Sequence, residues 1–129
     1  MSSASVQTST KPRIDRALCR QLLKYLKREL KRDLKDIEYT LMGILSLNDR
    51  MVYERKYAEL CDLVDDFHGK GKKYLLKLLL KRLYKEADEI EDEMDAEDIS
   101  NDELAKLDSE WNQIDHMISQ VEEQLEARR

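Results

Sequence analysis

Few side chains in this sequence have types and spacings suited to chemistry, and the best placed are Gly69-Lys70-Gly71-Lys72-Lys73. Backbone N–H groups at the start of a helix, with lysines beside them, can cradle an anion. The run lacks the four-residue spacer and the following Ser or Thr of a Walker loop, and paired glycines also serve simply to turn the chain. Asp65 and His68 stand three apart, the spacing that helical bundles use when carboxylates from other helices complete a metal site. A di-iron site needs two Glu-x-x-His motifs and two further Glu. The only other histidine, His116, has Gln113 three residues before it, so no metal or other cofactor is expected. Cys61 and His68 could share a helix face, but no oxyanion-forming loop or orienting acid accompanies them. Cys19 and Cys61 show no CxxC spacing, which implies neither a disulfide framework nor a zinc site. These residues point away from an enzyme.

The elements that carry them are helical by composition. The chain has 129 residues, enough for one domain with a core, and its 40% charged content with three Gly and one Pro suits long helices with solvated faces. Met1 to Lys11 lacks apolar periodicity, so residues 1–12 read as a disordered tail, and Pro12 suits a helix start. Residues 13–129 read as a single domain. A first stripe runs through Leu23, Leu26, Leu30, Leu34, Ile37, Leu41 and Ile44, predicting a helix over 13–46, roughly 50 Å long. Ser46-Leu47-Asn48-Asp49 forms a turn and cap, and Tyr53, Tyr57, Leu60, Val64 and Phe67 mark a second helix over 49–68. Leu76, Leu80, Leu83, Ala87, Ile90 and Met94 mark a third over 73–95. Ser100 or Asn101, with Glu103 behind it, opens a fourth over 101–127, whose heptads are the most regular in the chain. The expected fold is all-α, a bundle of two antiparallel hairpins with seams of coiled-coil type.

Charge is split along this bundle. Residues 1–85 hold 20 Lys+Arg against 11 Asp+Glu, whereas residues 86–129 hold 3 against 17. Folding the third helix back on the fourth places residue i beside about 197 minus i, which sets acid against acid from Glu86 to Asp95 and brings Lys72, Lys73 and Lys77 near Glu122 and Glu123. For the first pair the corresponding number is 95, so Phe67 reaches back only to about Arg28. The first helix then overhangs its mate, leaving Leu18, Leu22, Leu23 and Leu26 uncovered beside the basic row Arg20, Lys24, Lys27 and Lys31. The acidic hairpin, from the same chain or from a second copy, is expected to cover that surface, with leucines supplying most of the free energy and charge setting orientation.

Residues 22 to 83 resemble the death effector domain in the run Leu63-Val64-Asp65-Asp66-Phe67 followed by Tyr74 to Leu83. The resemblance implies a compact six-helix fold with a break after its first helix. Here the heptads pass through 30 to 37 without a breaker, and Glu86-Ala87-Asp88-Glu89 stands after Leu83 where that family has Arg-x-Asp-Leu. No functional residue is therefore carried over.

The function expected from these features is non-enzymatic: an interaction module, scaffold or regulatory subunit that binds a protein partner or another copy of itself. Its contacts are expected at Leu18, Arg20, Leu22, Lys24, Lys27 and Lys31, and at Glu89, Asp92, Glu93 and Asp95, with Gly69, Lys70, Gly71, Lys72 and Lys73 a further anion-binding candidate. The alternative is a nucleic-acid-binding protein whose basic helices, interleaved with Tyr25, Tyr39, Tyr74 and Tyr84, are restrained by the acidic third. No run of about 18 apolar residues spans a bilayer, the Lys72 to Arg82 stretch continues a heptad seam instead of forming an interfacial helix, and an intracellular location is expected.

Overall fold

A computed structural model describes residues 13–129, so the expected tail at 1–12 and Pro12 lie outside the described residues. Four helices follow one another: α1 (Arg16–Leu41), α2 (Leu47–Asp65), α3 (Lys72–Met94) and α4 (Asn101–Ala127), with a 3-10 turn at His68–Lys70 between α2 and α3. No strand occurs among the described residues, and none of their helices is long and apolar enough to cross a membrane.

Each start is set by a side chain or a glycine. Asp15 accepts the N–H of Leu18 at 3.0 Å to open α1. Ser46 Oγ accepts from Asp49 N at 3.2 Å for α2, and Ser100 Oγ accepts from Glu103 N at 3.1 Å for α4, each satisfying one of the donors left free at a helix start. Within the run Ser46-Leu47-Asn48-Asp49 the cap of α2 is thus the serine. Helix α1 ends at Leu41, five residues before the expected limit. The N–H of Met42 is shared between the carbonyls of Glu38 and Tyr39, and Gly43 follows with its own N–H on Thr40 O. At Gly71 the backbone turns with φ 87°, a left-handed value that L side chains avoid.

The core occupies only part of this length. It comprises Cys19, Leu22, Leu23, Leu26 and Leu30 of α1, Phe67 just before the 3-10 turn, Leu75, Leu76, Leu79, Leu83 and Ala87 of α3, and Ile114, Ile118 and Val121 of α4. Fully burying one such leucine contributes roughly 1.5–3 kcal/mol. Helix α3 buries a broader face than its expected stripe, with Leu75 and Leu79 inside and Leu80 and Ile90 half-buried, because it meets α1, α4 and the 3-10 turn. Helix α2 has no buried residue, and its Leu60, Leu63 and Val64 lie at the margin of the core.

The expected overhang is therefore closed within one chain. Leu22 is 4% exposed and Leu26 fully buried, covered not by the acidic end of the second hairpin but by its apolar base, where Ile118 and Val121 join the same cluster. A half-buried ion network locks the two hairpins in register there. The Arg82 guanidinium holds both carboxylate oxygens of Asp33, one at 3.0 Å, bonds Glu86 at 3.1 Å and lies 3.7 Å from Glu29. A second polar seam fixes the start of α1: buried Gln124 accepts from Asp15 N at 2.9 Å and from the Cys19 thiol at 3.2 Å, and donates to Arg13 O at 3.2 Å.

Candidate interaction surfaces

With the core confined to the shared base, three surfaces remain that differ in chemistry. The first is the tip of the α1–α2 hairpin. Tyr39, Met42, Ile44, Leu47, Met51 and Val52 are all exposed there, Ile44 completely and Met42 to 83%. Isolated apolar residues on a surface are ordinary, but a group of six on one turn and its flanking helices is not. The signal for it stood in the sequence as Leu41-Met42-Gly43-Ile44-Leu45-Ser46-Leu47, a turn made chiefly of apolar residues. The stripe reading assigned Ile44 to the seam, and the end of α1 at Leu41 removes it.

The second surface is basic. Arg20, Lys24 and Lys31 are exposed as expected, while Lys27 is half-buried with its ammonium 5.7 Å from the centre of the Phe67 ring. Leu22, by contrast, is a core residue and not a contact, and Leu18 is half-buried against the core. Arg20, Lys24, Lys27, His68 and Lys72 line a cleft of about 260 Å³ around Leu23 and Phe67. Further along α1, Arg28, Lys31, Arg32 and Lys35 line a shallow concavity. The glycine and lysine run is divided: Lys70 is held by Asp62 at 3.3 Å within the 3-10 turn, whereas Gly69, Gly71, Lys72 and Lys73 are exposed. No side chain caps α3, whose first turn carries lysines and no acid.

The third surface is the acidic tip of the α3–α4 hairpin, where Glu89, Asp92, Glu93 and Asp95 are exposed. None of these four forms an ion pair among the described residues. Nor does any of Lys72, Lys73 and Lys77, expected near Glu122 and Glu123, form an ion pair with them among the described residues. Glu122 instead accepts from the Tyr84 hydroxyl at 2.6 Å, and Trp111 donates to Glu91 at 3.0 Å. Helical side chains lean toward their own N-terminus, so in an antiparallel pair the groups that touch lie about a turn beyond residues level along the backbone.

Titration is perturbed at the Arg82 network. Burial pushes Glu86 above the usual carboxylate range, against the pull of Arg82. Burial, then the negative charges of Glu86 and Glu29, pushes the Tyr25 phenol up to about 12, and its hydroxyl reaches Glu86 at 3.4 Å. Arg82 is held above its ordinary value, chiefly by its bond to Asp33. These groups join α1 to α3, and Arg82 and Glu86 line an open concavity of about 370 Å³ with Arg32, Asp36, Lys85 and Glu89. Among the described residues no three His, Cys, Asp or Glu side chains gather in a way that would hold a metal. Cys19 is fully buried beneath Gln124 and the Arg128 guanidinium, and Cys61 is half-buried on α2.

No protein-family model, curated protein or solved structure matches this chain at a significant level.

Proposed function

We propose that this protein is a non-enzymatic interaction module, a scaffold or regulatory subunit that engages other proteins through surfaces at the ends of its two hairpins. The observation that carries the reading is the exposed apolar tip at Met42, Ile44 and Leu47. Such a patch costs solubility, and its natural use is burial against an apolar groove of another protein. A photo-crosslinking residue placed at Ile44 or Leu47 in cells should yield a discrete protein adduct, while the same residue at exposed Asn112 yields none. Equal labelling at all three positions would remove the tip as a docking site.

A second reading, nucleic-acid binding, is supported by the concavity lined by Arg28, Lys31, Arg32 and Lys35. Removing the acidic third is not a clean test, because Ile114, Ile118 and Val121 of α4 complete the core. Changing Lys31→Glu and Lys35→Glu in the full chain is cleaner. Oligonucleotide affinity that falls with salt and is lost in this variant supports the reading; no measurable affinity in the parent at low salt rejects it.

A further inference from the structure

We propose that the basic cleft between α1 and α3 receives the acidic α3–α4 loop of a second copy of this chain, joining molecules head to tail. This rests on the interaction-module reading but uses surfaces distinct from the apolar tip, so either can fail alone.

The cleft is built to take an anionic segment that also carries an apolar side chain. Its walls are Arg20, Lys24, Lys27 and Lys72, its floor is Leu23 and Phe67, and no acidic residue lines it. Among the described residues, none of these four cations has a carboxylate within ion-pair distance. Like charges brought together without a counter-charge repel one another, and a complementary anionic partner relieves that repulsion. The N-terminus of α3, with no side-chain cap and no acid in its first turn, adds its positive end to the same place.

The matching surface is on the same molecule. Between α3 and α4 the chain reads Asp95-Ala96-Glu97-Asp98-Ile99, and Asp102 and Glu103 follow in the first turn of α4. Glu93, Asp98 and Glu103 line a concavity with Ile99 and Leu107 that contains no Lys or Arg. Acidic groups around a half-buried isoleucine are thus the chemical counterpart of basic groups around Leu23 and Phe67.

Within one chain the two cannot meet. The cleft sits at Lys72 and the loop begins after Met94, the opposite ends of α3, roughly 33 Å apart at 1.5 Å per residue. Screening at physiological salt acts over about 8 Å, so neither end senses the other across that distance. Two different patches that fit each other form a heterologous contact, which repeats into an open chain or closes into a ring.

Sedimentation velocity of the full chain tests this. At about 20 mM salt the average mass should rise with protein concentration, and at about 500 mM it should return toward the 15.3 kDa of one chain. Neutralising the cleft (Arg20→Gln, Lys24→Gln, Lys72→Gln) or the loop (Asp95→Asn, Glu97→Gln, Asp98→Asn) should weaken self-association by about tenfold or more in each case. Mixed in equal amounts, the two variants should form pairs and nothing larger, since each offers one working surface. Ile44→Ser should self-associate like the parent. A parent chain that stays at 15.3 kDa at every concentration in low salt overturns the proposal. So does failure of the mixture to pair when circular dichroism shows both variants helical, or loss of association in Ile44→Ser alone. Inorganic pyrophosphate binding at the cleft of a chain that never self-associates would assign it to another anion and overturn the proposal as well.

Discussion

The two hairpins are written in the same code of three- and four-residue apolar steps, yet they enter the fold unequally. Helix α4 sends Ile114, Ile118, Val121 and Gln124 inside, whereas α2 of the other hairpin buries nothing fully. The reason lies in the number of neighbours. Helix α4 rests on α3 and also reaches α1, while α2 lies mainly along α1 with its far half beyond the core. An amphipathic stripe announces that a helix will pack, but leaves open how many elements will share the burial.

That inequality can be attacked by substitution. Leu79 is fully buried where both hairpins meet, and Leu79→Ala should cost about 3 kcal/mol in urea unfolding. A loss below about 1 kcal/mol would show that the shared base is looser than described. Arg82→Ala leaves Glu29, Asp33 and Glu86 without their common cation and should cost about 2 kcal/mol. Leu60→Ala on α2 removes only half-buried surface and should cost about 1 kcal/mol; a loss equal to that of Leu79→Ala would erase the distinction between the hairpins. Ile44→Ser should stay within about 0.5 kcal/mol of the parent, since Ile44 is in contact with solvent alone.

The smallest effect concerns pH. Because the folded Tyr25 phenol is raised from 10.0 to about 12, its contribution is fully present below pH 10 and is lost as pH climbs from there toward 12. Compared with Tyr25→Phe, the parent should therefore lose stability across that interval, read as a falling urea midpoint. Parallel curves for the two proteins would place the phenol in water.

The spacing of Leu26, Leu30, Leu60, Leu83 and Ile118 made the four helices legible, and Ser100 or Asn101 with Glu103 behind it placed the fourth start, where the structure selects Ser100 as the cap. The folding-back of α1 on α2 was legible too: Tyr57 donates to Glu38 at 3.1 Å, and Lys27 faces Phe67. What covered the overhang was not, because Leu22 reads the same whether α4 or a second chain lies against it. The charge split distracted from the answer. Opposite charges suggested that the acidic end of the second hairpin covers the basic row, whereas the cover that formed is the apolar base of that hairpin, with the Arg82 network beside it; leucine burial supplies most of the free energy, as expected. Sites were less legible still: the Gly and Lys run drew attention to its own backbone, while the cleft there draws Arg20, Lys24 and Lys27 from α1, some fifty residues earlier.

The absence of any fully buried side chain on α2 has a dynamic consequence. Free energy for opening a segment scales with the apolar area it gives up, so α2 should detach from α1 at lower cost than the whole domain unfolds. Its amides, and those of the distal turns of α1, would then exchange with deuterium well ahead of those around Leu79 and Val121, making this helix a hinged flap on an otherwise cooperative unit.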